Sequence, residues 1–221
     1  MNPFQVVKDF ERALCDYTGA PYAVTTTSCT MALLLAVAWH VQRASIKQFG
    51  QPYPPMAPEI EIPKRTYVGV PMSIVHAGGR PTFRDEEWSG AYQLKPLPVW
   101  DCARRFTSNM YLGDLHAHGL IASGHMLCVS FHWSKILGIQ QGGAILHDDP
   151  EADAWLRRAR FDGRTEGVPA TDDVPTSLGW HAYLAPETAA AGLVRLHNLP
   201  RHNADLPGDD YPDLSTFEIF K

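Results

Sequence analysis

The chain has 221 residues, 45% hydrophobic and 19% charged, with a formal charge of -5 at neutral pH. That length allows one substantial core, or a domain with a small appendage, and the composition is ordinary for a globular protein. Scattered basic residues under a negative net charge exclude an electrostatic case for nucleic acid; no unbroken apolar run nears the ~20 residues of a bilayer span, and no signal peptide is visible, so no membrane association is expected. Four cysteines (Cys15, Cys29, Cys102 and Cys128) lie far apart without a CxxC pair, which suits reduced thiols and a cytoplasmic setting.

Asn2-Pro3 opens a helix, with Asn as cap and Pro at the first helical position. Phe4, Val7, Phe10 or Glu11, and Leu14 continue at helical spacing and Gly19 supplies a stop, predicting a helix over 4–17. Tyr22-Ala23-Val24-Thr25 reads as a short strand. It leads through Thr26-Thr27-Ser28-Cys29-Thr30 into the almost wholly apolar helix Met31-Ala32-Leu33-Leu34-Leu35-Ala36-Val37-Ala38, half of a βαβ unit. The first turn of that helix presents free N–H groups and the positive end of the helix dipole, which suits a phosphate. A plain capping role for Ser28 fits the same pattern.

Residues 48–58, rich in Pro, Gly and Gln, read as a loop. Glu59-Ile60-Glu61-Ile62-Pro63 as a strand, a helix over about 69–77 and a strand at Pro81-Thr82-Phe83-Arg84 make a further α/β step. Tyr67 follows a strand end, where ligands bind in open α/β sheets; it either stacks on a flat ring or packs with its hydroxyl in water. Asp85 to Leu97 reads as an extended connection. Pro98-Val99-Trp100-Asp101-Cys102-Ala103 is a short apolar strand ending in a carboxylate that either caps a helix or orients a ligand, with Arg104-Arg105 next to it. Residues 108–119 are polar and loop-like. His116, His118, His125 and Cys128 match no zinc-ligand spacing, so no metal is expected.

The stretch Val129 to Leu146 reads as a buried strand, a polar loop carrying Lys135, and a Gly142-Gly143 turn into a second apolar strand. The chain has six lysines, and this one is set between two apolar runs. Desolvation depresses the pKa of an amine held against apolar walls, and a neutral amine attacks a carbonyl to form a Schiff base. A lysine in a surface loop between strands satisfies the local sequence equally. Asp149-Pro150 opens a helix running to about Phe161, and residues 162–178 read as a mobile loop. Ala185-Pro186-Glu187 starts a last helix with Ala189, Ala190, Leu193, Val194 and Leu196 facing inward, ended by Pro200. The tail 201–221, polar and broken by prolines, carries no regular pattern, so the chain divides into a domain over 1–200 and this tail.

Together these segments resemble the DegT/DnrJ/EryC1/StrS sugar aminotransferases, pyridoxal-phosphate enzymes of the aspartate-aminotransferase (type I) fold. Phe10-Glu11 through Tyr17-Thr18-Gly19 resembles the family's first helix. Ser28-Cys29-Thr30-Met31-Ala32-Leu33 is similar to its Ser-Gly-Thr-x-Ala-Leu turn, and Pro63 to Val68 to its Pro-x-x-Thr-aromatic segment. Pro81 to Asp85 and Val99 to Ala103 resemble two further strand ends. Ser130-Phe131-His132 with Lys135 and Gly142-Gly143 resembles the Ser-Phe-His … Lys … Gly-Gly signature, the family's most specific motif. Gly179-Trp180-His181 and Pro186 to Leu193 are similar to its Gly-x-Asn … Ala-Ala-x-Gly-x-x-x-Leu segment.

The resemblance implies an α/β three-layer sandwich around a mainly parallel sheet: the large domain of the type I fold, with the C-terminal small domain largely absent. It implies that Lys135 forms the Schiff base and shuttles the proton, while Asp101 pairs with the pyridine nitrogen. Ser130 and the backbone amides of Cys29 and Thr30, beside Ser28, would hold the phosphate. Tyr67 would stack on the ring, and Arg104 stands where the family carries Gln or His near the 3-hydroxyl. His181 replaces an asparagine that reaches the phosphate from the neighbouring subunit, implying a homodimer with shared sites. The implied reaction moves an amino group from an amino acid, glutamate by analogy, to a keto-sugar on a nucleotide. A different carbonyl acceptor such as a modified nucleotide, or a degenerate scaffold that only binds pyridoxal phosphate, are the alternatives, because the substrate-binding half is largely missing or rebuilt.

Overall fold

A computed structural model describes residues 4–117, 124–208 and 211–221. The Asn2-Pro3 cap and His118 lie outside the described residues. The first helix, α1 (Gln5–Thr18), buries Val7, Phe10, Glu11 and Leu14 and ends at Gly19. It leads to β1 (Tyr22–Thr26) and then α2 (Cys29–Phe49). At 21 residues α2 is longer than the expected apolar run, and it is long and apolar enough to cross a bilayer by composition. Here it is a core helix: Ala32 through Ala38 are all buried.

Strands β2 (Glu59–Pro63) and β3 (Arg80–Arg84) flank α3 (Gly69–His76) and pair in parallel, a complete βαβ step. The chain continues through β4 (Tyr92–Leu94), β5 (Val99–Cys102), α4 (Met110–Ala117), β6 (Met126–Ser130), β7 (Gly143–His147), α5 (Pro150–Ala159) and α6 (Pro186–His197). Five strands form one sheet in the order β1-β7-β6-β5-β4, while β2 and β3 form a second.

Side chains alternate between the faces of the large sheet and thereby build two cores. Val24, Met126, Cys128 and Ile145 meet α2, α3 and α5. Ala23, Leu127, Val129, Ala144 and Leu146 meet α1, α4 and α6. This is the α/β three-layer arrangement, but the expected mainly parallel sheet is mixed. Three of the five strand pairings are antiparallel, with only β2–β3 and β5–β6 parallel. Connection length accounts for one of the three: β4 and β5 are joined by residues 95–98 alone, whereas a parallel return needs a crossover of about a dozen or more residues, usually helical.

Other expectations change in detail. The connection from Asp85 to Leu97 contains β4, and 108–119 contains α4 rather than loop alone. On α6, Ala189, Gly192 and Leu196 are buried, but Ala190 and Val194 face solvent. The tail has two 3-10 turns, Leu214–Thr216 and Glu218–Phe220, and Leu214 is fully buried.

A buried ion cluster joins α1, β1 and α5. Glu11 accepts from the Thr25 N–H at 3.0 Å, the Thr25 hydroxyl at 2.8 Å and Arg157 at 2.7 Å, and also from Arg160. Burial alone would raise the Glu11 carboxyl, but the two arginines and these bonds bring it down to about 2. Because the folded value lies below the ordinary 4.5, this contribution is complete above that pH and is lost as pH falls toward about 2. Breaking one side of such a pair leaves a charge buried, at a cost of about 3–5 kcal/mol. We expect Glu11→Gln to lower unfolding stability by that amount at pH 7 and to flatten the acid limb between about 4.5 and 2. Urea melts across that range measure both.

Candidate active site

The register of the sheet gathers several chain segments at one end. Gly143 at the start of β7 stands beside Thr26 of β1 on one side and Ser130 of β6 on the other. The start of α2 lies directly on it. A Cβ at Gly143 would fall 2.5 Å from the Cys29 nitrogen, so glycine is required for this approach. A cavity of about 640 Å³ opens here.

Ser28, Cys29 and Thr30 bring the N-terminus of α2 to the cavity wall. Ser28 is also the helix cap, its Oγ accepting from the Met31 N–H at 3.2 Å. Both readings of that serine therefore hold at once: the cap satisfies one N–H and leaves the helix start facing the cavity. Cys29 is buried, with its Sγ 3.5 Å from the Cys128 carbonyl. Burial pushes its thiol well above the usual range, so it stays neutral and unreactive.

Asp101, at the end of β5, is 3% exposed. The Tyr92 hydroxyl donates to Oδ2 at 2.8 Å and the Ala103 N–H to Oδ1 at 2.8 Å. Thr66 hydrogen-bonds the same Tyr92 hydroxyl at 2.6 Å. Burial raises the Asp101 carboxyl, and the Ala103 N–H, Tyr92, Lys135 and Arg104 partly offset that rise. Lys135 lies in the loop after β6, half-buried, its backbone N–H on the His132 carbonyl at 2.8 Å. Ser130 at the end of β6, Tyr67 just before α3 and Arg104 after β5 complete the expected set around the cavity.

Of the residues singled out from sequence, His181 alone does not reach this cavity. Its side chain is 72% exposed, with Nδ1 2.8 Å from Asp162 Oδ2 and the ring against Tyr183. The role implied for it belongs to a neighbouring subunit's site, which a single chain does not contain. Sequence reasoning missed Tyr92 and Thr66 behind Asp101, and Gln140, Gln141 and Tyr211 on the wall. The three residues of β4 carry little strand signal of their own, and nothing local marked Tyr211. Among the described residues no three of His, Cys, Asp or Glu gather as a metal would need.

The cavity of this α/β three-layer domain is thus lined by a helix N-terminus, an amine, an aromatic ring and a buried carboxylate. The chain belongs to the DegT/DnrJ/EryC1/StrS aminotransferase family, whose profile matches residues 2–108 and 97–205. Among solved structures it is similar to the sugar aminotransferase CalS13 from Micromonospora echinospora: 18% identity over 87% of this chain and 60% of that one, TM-score 0.65. It is similar to PseC of Helicobacter pylori, an aminotransferase involved in the biosynthesis of pseudoaminic acid: 18% identity, 88% and 58% covered, TM-score 0.62. It is also similar to DesI, solved in the presence of its TDP-sugar product: 22% identity, 88% and 53% covered, TM-score 0.59. The chain thus spans a little over half the length of these structures, and no curated protein matches it.

The buried carboxylate costs the fold stability, because burial outweighs the charges of Lys135 and Arg104. A carboxyl raised above its ordinary 3.8 loses stability for the fold as pH climbs through that value toward the folded one. We expect Asp101→Asn to stabilise the cofactor-free protein at pH 7, with the gain vanishing below about pH 4. Thermal melts at the two pH values check this; equal or lower stability at pH 7 would contradict it.

Proposed function

We propose that this chain binds pyridoxal phosphate in the cavity and transfers an amino group from an amino acid, glutamate, to a keto-sugar carried on a nucleotide. The observation that carries the reading is the convergence of Lys135, buried Asp101 and the start of α2 on one cavity. The donor set suits each part of the cofactor. The helix start with the Thr30 and Ser130 hydroxyls matches the phosphate, the Tyr67 ring a flat heterocycle, and the Asp101 carboxylate a protonated ring nitrogen.

When bound, the cofactor supplies a conjugated ring that accepts an electron pair from the donor's α-carbon. The protein does the rest. Lys135 is the only amine among the described residues of the wall, so its Nζ would hold the cofactor's aldehyde end and would carry the proton to and from the donor's α-carbon. Asp101 would face the ring nitrogen, and the Tyr92 hydroxyl and the Ala103 N–H fix that carboxylate in place. The neutral Cys29 thiol does not compete for the aldehyde.

The relatives' sugar and nucleotide-sugar chemistry supports the acceptor class. Exposed His181 supports a homodimer in which each chain reaches the other's site. Four free thiols suit the reducing cytoplasm. One second reading keeps the same cofactor site and gives it a carbonyl acceptor other than a sugar nucleotide, such as a modified nucleotide.

We expect the protein loaded with pyridoxal phosphate to show a visible absorption band that glutamate displaces within one turnover. Lys135→Ala should slow that half-reaction by about a thousandfold. An unaltered band on glutamate addition, or an equally fast Lys135→Ala protein, would refute the mechanism. A panel of keto-sugar nucleotides against a modified-nucleotide carbonyl separates the two acceptor readings.

A further inference from the structure

The tail that follows α6 is built into the wall of the site. Arg105 holds Asp205 through contacts of 2.5–3.0 Å. The Leu206 N–H donates to the Arg104 carbonyl at 2.9 Å, and Arg104 Nη1 donates to the Pro207 carbonyl. Gly208 then crosses flat over Trp88, where a Cβ would meet the indole at 2.6 Å, so a larger residue would lift the tail away. Beyond the crossing, buried Leu214 donates its N–H to the Lys64 carbonyl at 2.8 Å, and Asp213 pairs with the Lys64 ammonium at 3.5 Å.

Between these anchors Tyr211 lines the cavity. The Arg104 guanidinium lies over its ring, 4.9 Å from the centroid. The Trp88 ring is parallel to it within 9° at 6.4 Å, and Tyr67 is 6.4 Å away. We propose that Tyr211 is a positioning residue of the site, holding the Arg104 guanidinium against its ring so that the cation stays on the cavity wall beside Asp101. A planar cation over an aromatic face is attracted by the ring quadrupole, and the attraction grows with desolvation. Arg104 is only 9% exposed, so the pair operates where water screens it little. The contact that carries the proposal is the one to the ring face.

The test compares wild type with Tyr211→Phe, which keeps the aromatic face, and Tyr211→Leu, which keeps apolar bulk for the tail but removes that face. Phenylglyoxal labelling of the cofactor-free proteins, read by peptide mass analysis, reports how freely each arginine moves. Titration with pyridoxal phosphate reports the consequence for the ligand. We expect Tyr211→Leu to label Arg104 about tenfold faster and to bind pyridoxal phosphate about tenfold more weakly, with Arg105 labelling unchanged and Tyr211→Phe matching wild type. Unchanged Arg104 labelling in Tyr211→Leu would overturn the proposal. So would Arg104 and Arg105 speeding together, which means only that the tail has come off, or Tyr211→Phe behaving like Tyr211→Leu. The affinity readout rests on the functional reading above, whereas Arg104 labelling does not. A wild type that binds no pyridoxal phosphate therefore sinks that reading and leaves the labelling to decide this one.

Discussion

The structure around the cavity turns on one buried carboxylate. An ionised group taken out of water is tolerated only with hydrogen bonds and a countercharge, and Asp101 has the bonds built in. Two donors from separate segments, the Tyr92 hydroxyl and the Ala103 N–H, fix both oxygens. Tyr92 is there because β4 runs antiparallel to β5 and places Tyr92 opposite Asp101 in register. Lys135 and Arg104 bring positive charge to the same place, yet burial still outweighs them and the carboxyl stays raised. What remains is a buried carboxylate on the cavity wall whose charge its neighbours only partly balance, and in the proposed reading a protonated ring nitrogen completes that balance.

The remainder of the cavity follows from how the sheet ends. β1 and β6 flank β7, so the loop entering α2 must pass over Gly143, and the helix start is thereby pressed to the cavity wall. Ser28 caps one of the amides of that first turn and leaves others without a capping side chain. A second buried charge cluster, Glu11 with Arg157 and Arg160, holds α1 and α5 to β1. The two clusters differ in balance. Glu11 has two arginines and lies low, whereas Asp101 is left raised. The first stabilises the fold; the second costs it stability.

Much of this was legible from sequence where a local rule had no competitor. Asp149-Pro150 opens α5 as cap and first residue, and β2 and β7 fall where their apolar runs lie. Ser28, Tyr67, Asp101, Ser130 and Lys135 meet because each sits at the end of an element, and ends on the same edge of a sheet converge. What escaped depends on distant partners. The three residues of β4 have little strand signal of their own and exist by pairing with β5. The polarity of 108–119 hid α4, and the prolines of the tail hid a segment ordered by Arg104, Arg105 and Trp88 rather than by any pattern of its own. The proportion of parallel strands was misjudged because strand composition does not set strand direction, which depends on partners distant in sequence such as β7 for β1.

The account's central claim concerns the proton on the cofactor's ring nitrogen. Pyridoxal phosphate labelled with nitrogen-15 in the ring, bound to the protein, reports that proton directly through its NMR chemical shift. A protonated nitrogen in wild type that becomes unprotonated in Asp101→Asn is the result the structure predicts. An unprotonated nitrogen in wild type, or a protonated one that survives loss of the carboxylate, would contradict it.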